Sequence, residues 1–325
     1  MKLLRRQFLQ LVGAAAAAPA LPQLASALDY PTRPVRLIVG FPGGSPSDIG
    51  ARLIGQWLSE RLGQPFVIEN RPGAGSNIGT ETVVRAPPDG YTLLMVTATN
   101  TVNATLYDKL NFNFIRDIAP VASIVRNPGV MVVNPSLPAK TVPEFIAYTK
   151  VNPGKINMAT AGLGTNQHIY GELFRVMAGV DLVPVHYRGS PQAITDLLGG
   201  QVQVMFDVLL SSITYIKAGK LRALAVTTAT RSAMLPDTPT VGEFVPGYEA
   251  SGWQGIGAPR NTPAEIVDKL NKEINAGLAD PTLKARITDL GGAVFASSSA
   301  DFGKVIAADT EKWGKVIRAA NIKPE

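Results

Sequence analysis

The chain has 325 residues, 46% hydrophobic and 17% charged, with 31 glycines, 25 prolines and no cysteine. The missing cysteines exclude disulfides, thiol nucleophiles and thiolate metal sites, and two histidines are too few for a histidine-rich zinc or copper centre. The net charge is only +6, and no basic run or basic helix stripe marks a nucleic-acid partner, so neither nucleic acid nor a cofactor is expected.

Residues 1–27 read as an export signal. Arg5 and Arg6 precede Phe8-Leu9, an Ala-rich and weakly hydrophobic stretch follows to Leu21, and Ala25-Ser26-Ala27 supplies small residues for a cut after Ala27. Paired arginines ahead of a mild hydrophobic region look like a twin-arginine signal. The competing reading, an uncleaved anchor, is weaker: the stretch is shorter than the ~20 apolar residues a bilayer needs, and Pro19 and Pro22 interrupt it. Removing the segment also removes Lys2, Arg5 and Arg6 and leaves a near-neutral protein. The expected address is the periplasm, and the expected state a monomer.

The remainder alternates short apolar runs with helical patterns. Residues 35–41 form a β-branched strand, a helix follows over about 47–62 with Gly63 as its stop, and 66–70 is a second strand. A glycine-rich turn, a short helix near 79–85 and a strand at 92–97 complete a βαβαβ pattern, which packs as a parallel sheet with helices on its faces. Two strands in quick succession are expected over 121–135. Thr141 with Glu144 reads as a capping box that opens a helix. Strands at 155–160, 182–187, 202–206 and 221–227, with helices at 166–178 and 190–198, make a second α/β unit. Thr262 with Glu265 reads as a second capping box, followed by helices to about 278, near 281–290 and near 300–320.

Two such units of similar size imply an α/β, bilobed protein. The first domain takes 28–127 plus 251–325 and the second takes 128–250. The two crossovers between them act as a hinge, so the gap between domains is the natural place for a ligand.

Each unit offers one loop suited to an anion. Phe41-Pro42-Gly43-Gly44-Ser45-Pro46-Ser47-Asp48 follows the first strand, where glycines let the backbone approach a ligand and Ser45 or Ser47 caps the next helix. Residues 159–168, with Gly162, Gly164, Thr165 and His168, follow a strand of the second unit in the same way. Helix N-termini carry spare amides and a positive dipole end, which suit a carboxylate or phosphate. One such loop is weak evidence, whereas a pair in opposing units is what a clamp around a small anion requires.

Seven segments in order then resemble one family: 41–52 (FPGGSPSDIGAR), 69–80 (ENRPGAGSNIGT), 87–94 (PPDGYTLL), 164–174 (GTNQHIYGELF), 183–189 (VPVHYRG), 235–243 (LPDTPTVGE) and 253–259 (WQGIGAP). The chain resembles the substrate-binding proteins of the tripartite tricarboxylate transporters, also called Bug proteins, from about Tyr30 to the C-terminus. The resemblance implies a type II periplasmic-binding-protein fold: two α/β domains joined by two crossover strands around an interdomain cleft that closes on a small organic carboxylate. Delivery to membrane permease subunits or to a sensor kinase would follow. It points to Phe41, Gly43, Gly44, Ser45 and Asp48 in the first loop and to Gly162, Gly164, Thr165 and His168 in the second. Thr97, Thr99, Asn100, Arg188 and Asp207 are candidates for the far end of the ligand. The first loop departs from the family pattern: Ser47 stands where many members have Thr, and Pro46 removes one backbone N–H.

Several of these residues keep alternatives. His168, in the first turn of a helix, is either a neutral hydrogen-bonding group or a capped core histidine. Asp207 closes an apolar strand and can meet a ligand hydroxyl or ammonium, pair with Arg188, or orient a hinge amide. Arg188 either forks onto a second carboxylate or forms an ordinary salt bridge. The glycines at 73, 75 and 79 do not make a dinucleotide fingerprint, because Asn70-Arg71-Pro72 separate them from the strand. A secreted Ser/His/Asp hydrolase is the alternative function, although no G-x-S-x-G elbow is present.

Overall fold

The computed structural model describes residues 29–107, 109–319 and 322–323. The segment read as an export signal, with its cut after Ala27, lies outside them. The first lobe opens as its pattern requires. Strand β1 (Val35–Val39) is dense in β-branched residues and leads into helix α1 (Pro46–Leu62). Ser45 caps α1 by accepting the Asp48 amide, Pro46 fills the first helical position, where its missing N–H costs nothing, and Gly63 ends the helix at φ 71°. Strand β2 (Phe66–Asn70), helix α2 (Asn77–Val84), strand β3 (Thr92–Thr97) and helix α3 (Ala98–Leu106) follow. β1 pairs in parallel with both β2 and β3.

Helix α4 (Phe114–Asp117) leads into β4 (Ile118–Val133), a single 16-residue strand where two separate strands were expected. The Pro-Gly pair at 128–129 does not break it. Instead β4 changes partners there: Pro128 faces Ser251 of the first sheet, and Gly129 faces Val208 of the second. Proline lacks a ladder donor, so a change of pairing partner is a position where it can be tolerated inside a strand.

The second lobe carries helix α5 (Val142–Lys150), β5 (Asn157–Thr160), α6 (Asn166–Ala178), β6 (Val183–His186), α7 (Ser190–Leu198), β7 (Val204–Val208), α8 (Leu209–Lys217) and β8 (Arg222–Val226). Its sheet runs β4-β7-β5-β6, with β8 on the other side of β4. Strand β9 (Ser251–Pro259) returns the chain to the first sheet between β3 and β4. Thr227 braces the two crossings by donating its N–H to Gly129 O (2.9 Å) and its hydroxyl to Ala250 O (2.5 Å). Helices α9 (Ala264–Ala279) and α10 (Pro281–Asp289), strand β10 (Ala293–Val294) and helix α11 (Ser299–Ala319) complete the chain.

Each sheet has its own core. Ile38, Leu94, Val96 and Trp253 anchor the first, while Met131, Phe174 and Phe206 lie on one face of the second and Val130, Met205 and Leu209 on the other. The C-terminal helix does more than complete the first lobe. Phe302 stands edge-on to Trp253 (5.1 Å), and Trp313 lies 6.0 Å from Tyr170 in the core of the second.

Neither expected capping box forms in full. Thr141 Oγ accepts the Glu144 amide (3.3 Å), but the Glu144 carboxylate takes the N–H of Lys140, one residue before the cap. Thr262 donates to Pro259 O (2.7 Å) within a turn, and α9 starts at Ala264 with no side-chain cap. Helices α3 and α8 were not expected, because each follows a strand directly, without a turn residue to mark the change of period.

Candidate functional site

Five helices begin at one chamber between the two sheets. From the first lobe come the start of α1, with Phe41, Ser45 and Ser47, and the start of α3, with Thr97 and Thr99. From the second come the starts of α6 (Asn166, Gln167), α7 (Ser190) and α8 (Val208). The crossing strands contribute Asn127, Trp253 and Gln254, so both lobes and both strands line one space. None of the lining side chains carries a formal charge.

The local chemistry of the two anion loops is nearly the same. In the first, Ser45 Oγ accepts the Asp48 amide (3.3 Å); in the second, Thr165 Oγ accepts the His168 amide (3.4 Å). In both helices the N3 amide is thereby satisfied and the N1 and N2 positions lie at the chamber. The second loop offers N–H groups at Asn166 and Gln167, whereas the first loop offers only Ser47, because Pro46 has none. A helix N-terminus carries roughly half a positive charge, so this array attracts an anion without a lysine or arginine.

The glycines of these loops have a different role from the one expected. The Gly44 amide donates to Asp48 Oδ2 (2.9 Å) at φ 77°, and the Gly164 amide donates to His168 Nδ1 (3.2 Å) at φ 74°. Both loops are therefore held by a side chain four residues on, and the glycines supply the left-handed turn. Asp48 also accepts from Asn70 Nδ2 (3.0 Å) and Arg52 Nε (2.9 Å). Burial pushes its carboxyl up, but donation from Arg52, Gly44 and Asn70 outweighs burial and holds it below the usual range. His168 is buried, and that burial, reinforced by His186 and Arg175, pulls it down to about 3. The imidazole is thus neutral, with Nδ1 as acceptor.

The other predicted residues are spread from the chamber to its outer opening and the protein interior. Phe41, Ser45, Thr97 and Thr99 line the chamber. Asn100 sits beneath it, accepting the Thr97 amide (2.9 Å) and donating to Thr80 Oγ (2.9 Å). Gly162 and Arg188 line an outer opening of ≈ 600 Å³, which shares Phe41 and Ala161 with the chamber. Gly43 has open space where a side chain would go. Asp207 lies behind the wall, fully buried, on Ser211 Oγ (2.5 Å), Ser212 Oγ (2.5 Å) and Gln167 Nε2 (3.3 Å). Burial raises its pKa against those three donors.

Sequence reasoning passed over Asn166, Gln167, Ser190, Val208, Asn127, Trp253 and Gln254. A signal existed for the first three, since each occupies N1 or N2 of an expected helix. The crossing-strand residues had none, because only the meeting of two sheets brings them there.

The rims touch on both sides of the chamber. A Cβ on Gly189 would lie 2.8 Å from Pro42 Cδ, and one on Gly75 would lie 3.0 Å from Leu163 O. Asn103 Nδ2, on α3 of the same lobe, donates to Gly75 O (2.6 Å) and thereby fixes the 73–76 loop at the first rim. No hydrolytic triad assembles from the candidates: Asp207 is held by serines and a glutamine, and His168 Nδ1 is taken by Gly164.

Comparison with known proteins agrees with this geometry. A family described as tripartite tricarboxylate transporter family receptor matches residues 50–322. A protein of R. palustris solved with adipate is 38% identical at a TM-score of 0.89, covering 91% of this chain and 100% of that one. The periplasmic binding protein BugD is 34% identical at 0.87, covering 91% and 100%. MatC from Rhodopseudomonas palustris, solved with malate, is 31% identical at 0.85, covering 89% and 100%.

Proposed function

The chain belongs to the tripartite tricarboxylate transporter receptor family, and from that premise we propose that it captures a small organic carboxylate in the chamber between its lobes. The observation that carries this reading is the convergence of five helix N-termini on a space lined by no charged side chain. Such a site favours an anion over its neutral or cationic analogues and holds it by amides and hydroxyls. The relatives solved with adipate and with malate support the reading, since each ligand is a small carboxylate.

The hinge of this reading lies where β4 passes from Pro128 to Gly129 and where β9 begins at Ser251, which divides the protein into 28–127 plus 251–325 and 128–250. The ligand site consists of the amides and hydroxyls at the starts of α1, α3, α6 and α7. Gly44, Asp48, Gly164, Thr165 and His168 hold those starts in place, and Arg188 attends the outer opening. The protein works as an exported, monomeric periplasmic receptor that hands its ligand to a membrane permease or a sensor. The paired Arg5-Arg6 and the mild hydrophobic stretch after them, read as a twin-arginine signal cut after Ala27, support that address, and among the described residues no helix is long and apolar enough to cross a membrane.

The test is thermal melting of the protein with a panel of mono- and dicarboxylates, followed by recovery of the added acid. A bound acid at 100 times its dissociation constant stabilises by about 2.7 kcal/mol and raises the melting midpoint by a few degrees. The acid should be recovered unchanged. A panel that leaves the midpoint unmoved, or an acid that is consumed, defeats the proposal.

A further inference from the structure

Gln167 is 5% exposed, lines the chamber and has only one of its amide ends free. Its Nε2 donates one hydrogen to Asp207 Oδ1 (3.3 Å) and the other to Ser190 Oγ (2.9 Å). The Ser211 and Ser212 hydroxyls both meet Oδ2, which leaves Oδ1 to accept from Gln167; the glutamine nitrogen is thereby turned towards Asp207, and Oε1 is what remains for the chamber. Ser190 Oγ, already an acceptor, keeps its own hydrogen for donation to a bound anion. On crossover strand β4, Asn127 is 2% exposed, lines the same chamber, and its Oδ1 is buried with no hydrogen-bond partner among the described residues. Besides Gln254 Oε1, which is also unpartnered but faces Gly50, the wall therefore holds two amide acceptors among its many donors.

A plain carboxylate fills the donors and leaves both acceptors unpaired, whereas a hydroxyl or ammonium on the neighbouring carbon supplies the missing hydrogen. We propose that the Asp207–Gln167–Ser190 relay, with Asn127, makes the chamber select carboxylates that carry a hydroxyl or ammonium donor beside the bound carboxylate. Asp207 is a positioning residue in this scheme, acting on the ligand through Gln167. The inference rests on the carboxylate-binding reading of the chamber and narrows it to a ligand class.

The experiment is isothermal titration with matched pairs that differ only by the donor: malate or aspartate against succinate, 2-hydroxyglutarate against glutarate, 2-hydroxyadipate against adipate, and mandelate against phenylacetate. In the parent protein the donor-bearing member should bind about 5- to 100-fold tighter, the range for pairing a buried polar group against leaving it bare. Gln167→Met removes the acceptor, and Asp207→Asn lets the glutamine amide turn over. Both should shrink that ratio, even where absolute affinity falls. Because the ratio compares two ligands on one folded population, loss of fold alone does not move it, and circular dichroism checks the fold of each variant. Equal binding within every pair, or a ratio unchanged in both variants, overturns this inference while the carboxylate reading stands. Binding of none of these acids overturns both.

Discussion

Two residues hold the second anion loop, and each acts through one atom. His168 accepts the Gly164 amide as a neutral imidazole, and its pKa is pulled down to about 3, below the ordinary value of 6.5. The unfolded chain takes up a proton near pH 6.5 and the folded protein does not. Stability is therefore complete above that pH and falls as pH drops through the window from 6.5 to about 3. Between pH 7 and pH 5 this one residue should cost about 2 kcal/mol of stability. His168→Gln keeps an acceptor that does not titrate, so urea unfolding at the two pH values should show a loss smaller by about that amount. Thr165 caps the same helix through its hydroxyl, which also donates to Gly162 O (2.7 Å). Thr165→Ala should lower stability by about 1 kcal/mol, the usual value of an N-cap. It should also weaken carboxylate binding measured by titration, because the Asn166 and Gln167 amides lose their fixed direction. Binding as tight as the parent's would remove this loop from the site.

At the scale of an element, a helix and a strand compete at Gly50. Inside a helix alanine is favoured over glycine by about 1 kcal/mol. Yet Gly50 faces Gln254 of β9, and a Cβ there would lie 2.1 Å from Gln254 Oε1. The clashing atom is the far end of a flexible side chain, so the strand should stay and the glutamine should swing away. Gly50→Ala is therefore expected to change unfolding free energy by less than about 1 kcal/mol while altering carboxylate affinity, because Gln254 lines the chamber. Chemical unfolding and titration of the same preparation check both halves. The same logic explains the form of α1 as a whole. Its N-terminus serves the ligand, its Ser45 cap and Pro46 start serve the helix, and its glycine serves the neighbouring strand.

At the scale of the whole molecule, the two rims meet and the chamber they enclose is narrow, so a ligand of several carbons can enter only when the lobes part, and binding it means closing them again. Gly189 tests this. It sits in extended backbone (φ 171°), where any residue fits without strain, but its Cβ direction runs into Pro42 of the other rim. Gly189→Val should act as a wedge. The ligand-free protein should melt within a degree or two of the parent, while carboxylate affinity falls about 5- to 150-fold, since ~1–3 kcal/mol is the usual cost of overpacking and acts here only on the closed state. Small-angle scattering should show the ligand-dependent contraction of the parent lost in the variant. A variant that still contracts and binds normally would mean that these rims do not have to meet.

The alternation of apolar runs and helical patterns was enough to predict two α/β units. The helix starts at Asn166 and Ser190 were placed to the residue, because capping and turn chemistry are properties of four or five neighbouring residues. The helix N-termini behind the two loops were legible for the same reason, since Ser45 and Thr165 each announce one. Local sequence could not show that Pro128-Gly129 continues a strand, because the pairing partners there, Ser251 and Val208, lie far away in the chain. Nor could it show that the Gly44 and Gly164 amides are already taken, or that Asp207 lies buried behind Gln167. Which donors stay free for a ligand depends on which ones the protein itself has satisfied, and only the packing of the two lobes decides that.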